Sequence, residues 1–190
     1  GYAVEVAKED VSPVAPLPAT WDEYLAGLRK KDRHELRRKL RRLDQTGHYR
    51  QYLCDTTEDL RPRMDDFFRL HRASSPEKAS FWNAGRERFF VEVSKELAAR
   101  DRLKLAVLEI DGSRVATSLS IDYGDAYLLY NSGYDPTYSR LSVGLLNKAL
   151  AVKGAIASGK QSFDFLRGAE RYKYNLGASD RWVYRLTIRR

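Results

Sequence analysis

Two short stretches hold the residue types that could do chemistry. The first reads Arg140-Leu141-Ser142-Val143-Gly144-Leu145-Leu146 and stands where a loop enters an apolar, helix-period run. The start of a helix has unpaired amides and partial positive charge, so it attracts phosphate. Gly144 lets a phosphate approach the backbone, and Arg140 and Ser142 add donors. Arg140, Ser142, Val143, Gly144 and Leu145 are therefore the expected contacts of a phosphate-bearing ligand. The same spacing also fits an ordinary loop in which Ser142 caps the helix.

The second stretch is Asp164-Phe165-Leu166-Arg167-Gly168-Ala169-Glu170-Arg171-Tyr172-Lys173. Asp164 lies between Phe163 and Phe165 in a strand pattern, so it faces opposite to both. A carboxylate at a strand end beside a glycine loop can act as a base or orient an amine. Arg167 and Lys173 can hold an anion or polarise a carbonyl, and Tyr172 can supply a proton. The expected catalytic residues are Asp164, Tyr172 and Lys173, with Arg167 added to the ligand contacts. A structural pair between Asp164 and Arg167 across the turn is the competing reading.

A third feature is electrostatic. The net charge is +8, and residues 29–42, RKKDRHELRRKLRR, hold nine Lys/Arg against Asp32 and Glu35. The excess is thus local. It reads either as a solvated face or as a contact for nucleic acid, anionic lipid or another anionic partner. No aromatic interleaves with it, which weighs against stacking of single-stranded bases. His34, His48 and His71 have no metal-site spacing, so no metal is expected. GxGxxG, P-loop and GxSxG motifs are absent from the sequence.

The elements that must position these residues come from a chain of 190 residues, enough for one domain with a core. At 43% hydrophobic and 32% charged it is globular rather than disordered. Thr20-Trp21-Asp22-Glu23 is a capping box. It opens a helix expected to run to about Gln45, with Leu25, Leu28, Leu36, Leu40 and Leu43 on one stripe. Residues 48–55 read as a strand, and a helix capped at Thr56 or Thr57 runs to about His71. A loop over 74–85 precedes a helix over 86–100. The period then changes to two: strands at 103–110, 115–123 and 126–131 are joined by Asp111-Gly112 and Gly124-Asp125 turns. A helix over 144–158, a strand at 163–165, a short helix at 169–175 and a strand at 182–188 complete an α+β chain with a mixed sheet.

Residues 1–8 suggest a strand. Residues 11–19 carry Pro13, Pro16 and Pro18 and read as an extended linker. Together 1–19 are expected to be the strand and proline-rich tail of an upstream domain, with 20–190 as the domain proper. The lone Cys54 precludes an internal disulfide. No apolar run is long enough to span a membrane, and the start lacks a signal pattern. A cytoplasmic location is expected. The missing initiator Met suggests a fragment or a processed product.

Three segments resemble the FemAB-like acyltransferases and the CelD-like proteins of cellulose biosynthesis, a branch of the GNAT superfamily. They are WDEYLAGLRKKDRHELRRKLRRL, GYDPTYSRLSVGLL and FDFLRGAERYKYNLG, together spanning about residues 20–178. The resemblance implies a GNAT-like (acyl-CoA N-acyltransferase) fold, a mostly antiparallel mixed sheet flanked by helices. It also implies transfer of an acyl or aminoacyl group from acetyl-CoA, another acyl-CoA or charged tRNA to an amine acceptor. Family members often carry two such domains, so an upstream GNAT-like domain is an implied partner. Of the general phosphate motif Arg/Gln-x-x-Gly-x-Gly/Ala, only the central glycine is present, as Gly144. The reading set against this one is a non-catalytic GNAT-like domain that binds nucleic acid or a partner domain through helix 29–42.

Overall fold

The computed structural model describes residues 1–58 and 60–190. A seven-stranded sheet organises them, with strands in chain order β1 (Ala3–Pro16), β2 (Tyr49–Cys54), β3 (Leu103–Ile110), β4 (Ser113–Tyr123), β5 (Ala126–Tyr134), β6 (Ser162–Asp164) and β7 (Ser179–Arg189). Their spatial order is β2-β3-β4-β5-β6-β1-β7. Every neighbouring pair is antiparallel except β5 and β6, which run parallel. Seven α-helices cover the sheet: α1 (Trp21–Gly27), α2 (Lys30–Asp44), α3 (Leu60–Ser74), α4 (Pro76–Phe81), α5 (Ala84–Ala98), α6 (Val143–Ala157) and α7 (Arg171–Asn175). A 3-10 turn at Pro136–Leu141 leads into α6.

The run LKLAVLEI shows why both faces are covered. Side chains alternate across a strand, and here both sets are apolar except for Lys104 in one and Glu109 in the other. Leu103 and Leu105 join Met64, Phe67, Phe68, Trp82 and Phe90 from α3, the α4–α5 junction and α5. Ala106, Leu108 and Ile110 join Leu36, Leu43, Leu146, Val152 and Phe163 on the other side. A strand buried on both faces is apolar over most of its length. Asn147 pins α6 to the sheet: its Nδ2 donates to Ser118 Oγ at 3.2 Å, and Gln51 Nε2 donates to its Oδ1 at 2.7 Å. The chain therefore has the α+β, GNAT-like fold expected of it, with a mixed sheet flanked by helices.

Three local expectations need correction. The helix expected over 20–45 is two helices, because Leu28 and Arg29 are extended. Its capping box is present, with Glu23 N donating to Thr20 Oγ1 at 3.2 Å. The loop over 74–85 contains α4, capped by Ser75 with Pro76 in its first turn. The helix that follows β2 is described from Leu60; Asp59, within its expected start, lies outside the described residues. Residues 11–16, read as linker, lie within β1, which sits between β6 and β7. Proline is tolerated there because it lacks only the amide donor: the Pro13 carbonyl still accepts from Phe165 N at 2.9 Å, and Val14 beside it pairs with Asp164.

Candidate functional site: a cleft where parallel strands part

β5 and β6 pair only at Ala126–Ser162, Tyr127–Phe163 and Leu128–Asp164. Beyond Leu128, β5 continues to Tyr134 while β6 ends. The register between β4 and β5 shifts here: Leu119 faces Asn131 and Ser120 faces Leu129, so Tyr130 is an extra residue. Such a bulge bends its strand and re-aims side chains, and β5 leaves β6 at this point. The gap is a cleft of about 730 Å³. Tyr130, Asn131, Ser132 and Tyr134 line one wall, Phe165–Arg167, Glu170, Tyr172 and Lys173 the other, and Lys78 and Lys148 also reach it.

The start of α6 adjoins the cleft through Tyr134. Ser142 is left-handed, with φ 57°, and its side chain makes no capping bond. The first amides of α6 thus lack a side-chain cap, as a phosphate site requires. Gly144 also makes room for a ring: a Cβ there would meet Tyr134 Cδ1 at 2.8 Å. The Val143 side chain is buried in the core, and Leu145 lines a neighbouring groove with Lys39 and Arg171. The basic helix is part of this turn. Lys39 Nζ donates to Ser142 Oγ at 2.5 Å, and Arg42 Nη1 donates to the Arg140 carbonyl at 2.9 Å. Spacing alone treated helix 29–42 and residues 140–146 as separate sites; here they form one cationic edge.

The second stretch wraps the other wall. Asp164 is buried and accepts from Ser12 Oγ at 2.7 Å, from Leu166 N at 2.8 Å and from Arg181. It ties β6 to β1 and β7. The suggested Asp164–Arg167 pair does not form, because Arg167 pairs with Asp10 at 3.1 Å and Glu9 at 3.5 Å. Lys173 is buried, and its Nζ donates to the carbonyls of Leu166, Arg167 and Gly168, each at 2.9 Å, and to Glu170. It gathers the loop around itself. Tyr172 faces the cleft, and burial together with the Glu170 charge pushes its hydroxyl pKa up.

Sequence reasoning missed Lys148 and Lys78. Lys148 is buried on α6; its Nζ donates to the Gly144 carbonyl at 2.9 Å and lies 4.8 Å from the Tyr172 ring centroid. Burial, then the charge of Lys78, pushes its pKa down to about 7. Lys78 Nζ donates to the Ser132 carbonyl at 2.6 Å, and burial lowers its pKa too. The available signal was a lysine inside the apolar run LLNKALAVKGAIA, four residues after Gly144.

A splayed parallel pair with a helix start at its base defines the class: a GNAT-like acyltransferase fold. The sequence profile of the Acetyltransferase (GNAT) domain matches residues 30–174, and the chain belongs to that family. Among solved structures it is similar to FemX, with a TM-score of 0.71 and 10% identity over 92% of this chain and 60% of that one. A conserved protein of unknown function from Bacteroides thetaiotaomicron VPI-5482 gives 0.68 and 13% over 97% and 61%. L-PGS from Bacillus licheniformis gives 0.60 and 12% over 96% and 61%. The chain thus spans about 60% of the length of these structures. No curated protein matches it. Among the described residues no helix is long and apolar enough to cross a membrane.

Proposed function

We propose that the domain transfers an acyl group to an amine, within the FemAB-like and CelD-like branch of its family. The observation that carries this reading is the parting of β5 from β6 over a cleft whose base meets the uncapped start of α6. The anionic tail of an acyl-CoA or charged-tRNA donor would rest on the 140–145 turn, against Arg140, Ser142 and the amides of Val143 and Gly144; the Leu145 amide is already bonded to the Ser142 carbonyl at 3.0 Å. Such a donor supplies an activated acyl carbonyl. Lys39 and Arg42 add positive charge to the same turn. Tyr172 keeps its proton at neutral pH and is placed to give it to the leaving group. Asp164 and Lys173 act by holding β6 and the loop after it in place, and Arg167 anchors that loop to β1.

The test is calorimetric titration of the 190-residue domain with acetyl-CoA, longer acyl-CoAs and charged tRNA. Binding of at least one, weakened in a Lys39→Ala, Arg42→Ala double variant, is the expected result. Loss of two charge-assisted contacts corresponds to a weakening of roughly tenfold or more. A folded domain that binds none of these donors overturns the reading.

The exposed basic face of α2, Lys30, Lys31, Arg37, Arg38 and Arg41, supports a second reading as a nucleic-acid or partner-binding module. Nucleic-acid affinity falling steeply with salt, with no acyl-CoA binding, would favour it. For the partner, we propose an upstream GNAT-like domain in the same polypeptide and a cytoplasmic setting. The exposed apolar side chains of β1 and β7, Val4, Val6, Leu186 and Ile188, support such a neighbour.

A further inference from the structure

Four cationic side chains reach the cleft, and they are not equally partnered. Arg167 has Asp10 and Glu9, and Lys173 has Glu170 plus three carbonyls. Lys78 and Lys148 differ: among the described residues each ammonium makes one bond, to the Ser132 and the Gly144 carbonyl, and neither has a carboxylate in ion-pair range. An ammonium has three donors, so each keeps two unspent. Buried charges are normally paired, and two like charges in one poorly hydrated cleft raise each other's cost. What the described residues set against this pair is the Glu170 charge, shared with Lys173, and, for Lys148, the Tyr172 ring at 4.8 Å.

We propose that the molecule occupying the cleft carries a carboxylate, held between Lys78 and Lys148. This rests on the cleft being the transfer site and adds the chemical class of what enters it: a carboxylate-bearing acceptor, or an acyl group ending in a carboxylate. The groups facing Lys148 are Lys78 from α4, Tyr134 from β5, and Arg167, Glu170, Tyr172 and Lys173 from the loop and α7. Only Glu170 is anionic, and it is committed to Lys173 at 2.9 Å. Two ammoniums with donors to spare can each take one oxygen of a single carboxylate. Binding would pull the Lys148 pKa back up, so the complex should take up a proton.

The experiment is calorimetric titration of the 190-residue domain at pH 7.5 in two buffers of different ionisation enthalpy. The probes are N-acetylglycine, its neutral amide and inorganic phosphate, each with and without saturating acetyl-CoA; succinyl-CoA against acetyl-CoA tests the donor arm. Expected are saturable binding of N-acetylglycine or a clear preference for succinyl-CoA, net proton uptake, and none for the amide. Lys78→Met and Lys148→Met should each weaken that binding by about tenfold, the loss of one ion pair's worth of affinity. Both variants should melt no lower than the parent, since each removes an ammonium that its surroundings disfavour; if Lys148→Met fails to fold, Lys148→Gln replaces it. Equal binding of acid and amide, tighter binding of phosphate, or indifference to both variants overturns the proposal. Acetyl-CoA binding without any carboxylate preference would sink this inference and leave the transferase reading standing. Carboxylate binding without any acyl donor would do the reverse.

Discussion

His71 is buried against Phe67 and Trp82, and the Trp82 indole Nε1 donates to its Nδ1 at 2.9 Å. That bond needs a neutral imidazole. Burial accordingly pushes the His71 pKa down to about 4. An unfolded histidine titrates near 6.5, so between these values the unfolded chain binds more protons and stability rises with pH. Acidification from about pH 6.5 to 4 should therefore cost on the order of 3 kcal/mol through this group. Urea midpoints measured across that range should fall more steeply for the parent than for a His71→Phe variant; parallel curves would refute the assignment. At this scale the sequence was a partial guide. It picked out Asp164, but Ser12 and Arg181, which lie 152 and 17 residues away, are set beside it by strand pairing. Lys148 escaped notice because one lysine in an apolar helix looks like an exposed interruption until the opposite wall is known.

The meander read over 103–131, which the structure extends to Tyr134, the capping box and the helix read over 144–158 were legible because each follows from short-range rules of period, turn and cap. The break between α1 and α2 was not, because its cause is tertiary. Tyr24 must reach the Leu176 carbonyl, where its hydroxyl donates at 2.6 Å, while Lys39 and Arg42 must reach the 140–142 turn. One straight helix cannot do both. Charged side chains seal the joint: Arg33 donates to the Ala26 carbonyl at 2.8 Å and Arg29 pairs with Asp32 at 2.7 Å. Another element-scale constraint is the approach of β5 to α3. A Cβ on Gly133 would fall on the backbone of Leu70 and His71, and neither atom belongs to a side chain that can swing aside. Gly133→Ala should cost about 1–3 kcal/mol, as overpacking does, and should loosen the cleft wall. A melting temperature within a degree of the parent would show that the contact relaxes freely.

Across the whole molecule, β1 and β7 leave the body as a two-stranded ribbon with unlike faces. Val4 pairs with Ile188 and Val6 with Leu186, so these four share one face, each about 60% exposed. The other face carries Glu5 near Arg189 at 3.8 Å, and Glu9 with Arg185 at 2.8 Å. β7 is also one of the two edges of the sheet, β2 being the other. An apolar face on an unpaired edge invites association. The 190-residue chain should therefore self-associate as its concentration rises. Leu186→Lys with Ile188→Glu should restore a monomer by sedimentation; a parent that stays monomeric at high concentration would mean the ribbon is tolerated in water.

The joining of α2 to the 140–142 turn has a consequence for competition among ligands. Fifteen residues of α2 make a cationic rail roughly 22 Å long, and its far end is bolted to the doorway of the cleft by Lys39 and Arg42. A polyanion lying along the rail would finish at the spot where a small phosphate ester would dock. On the proposed reading the two kinds of ligand would be rivals for one berth, and occupancy by either would be felt by the other.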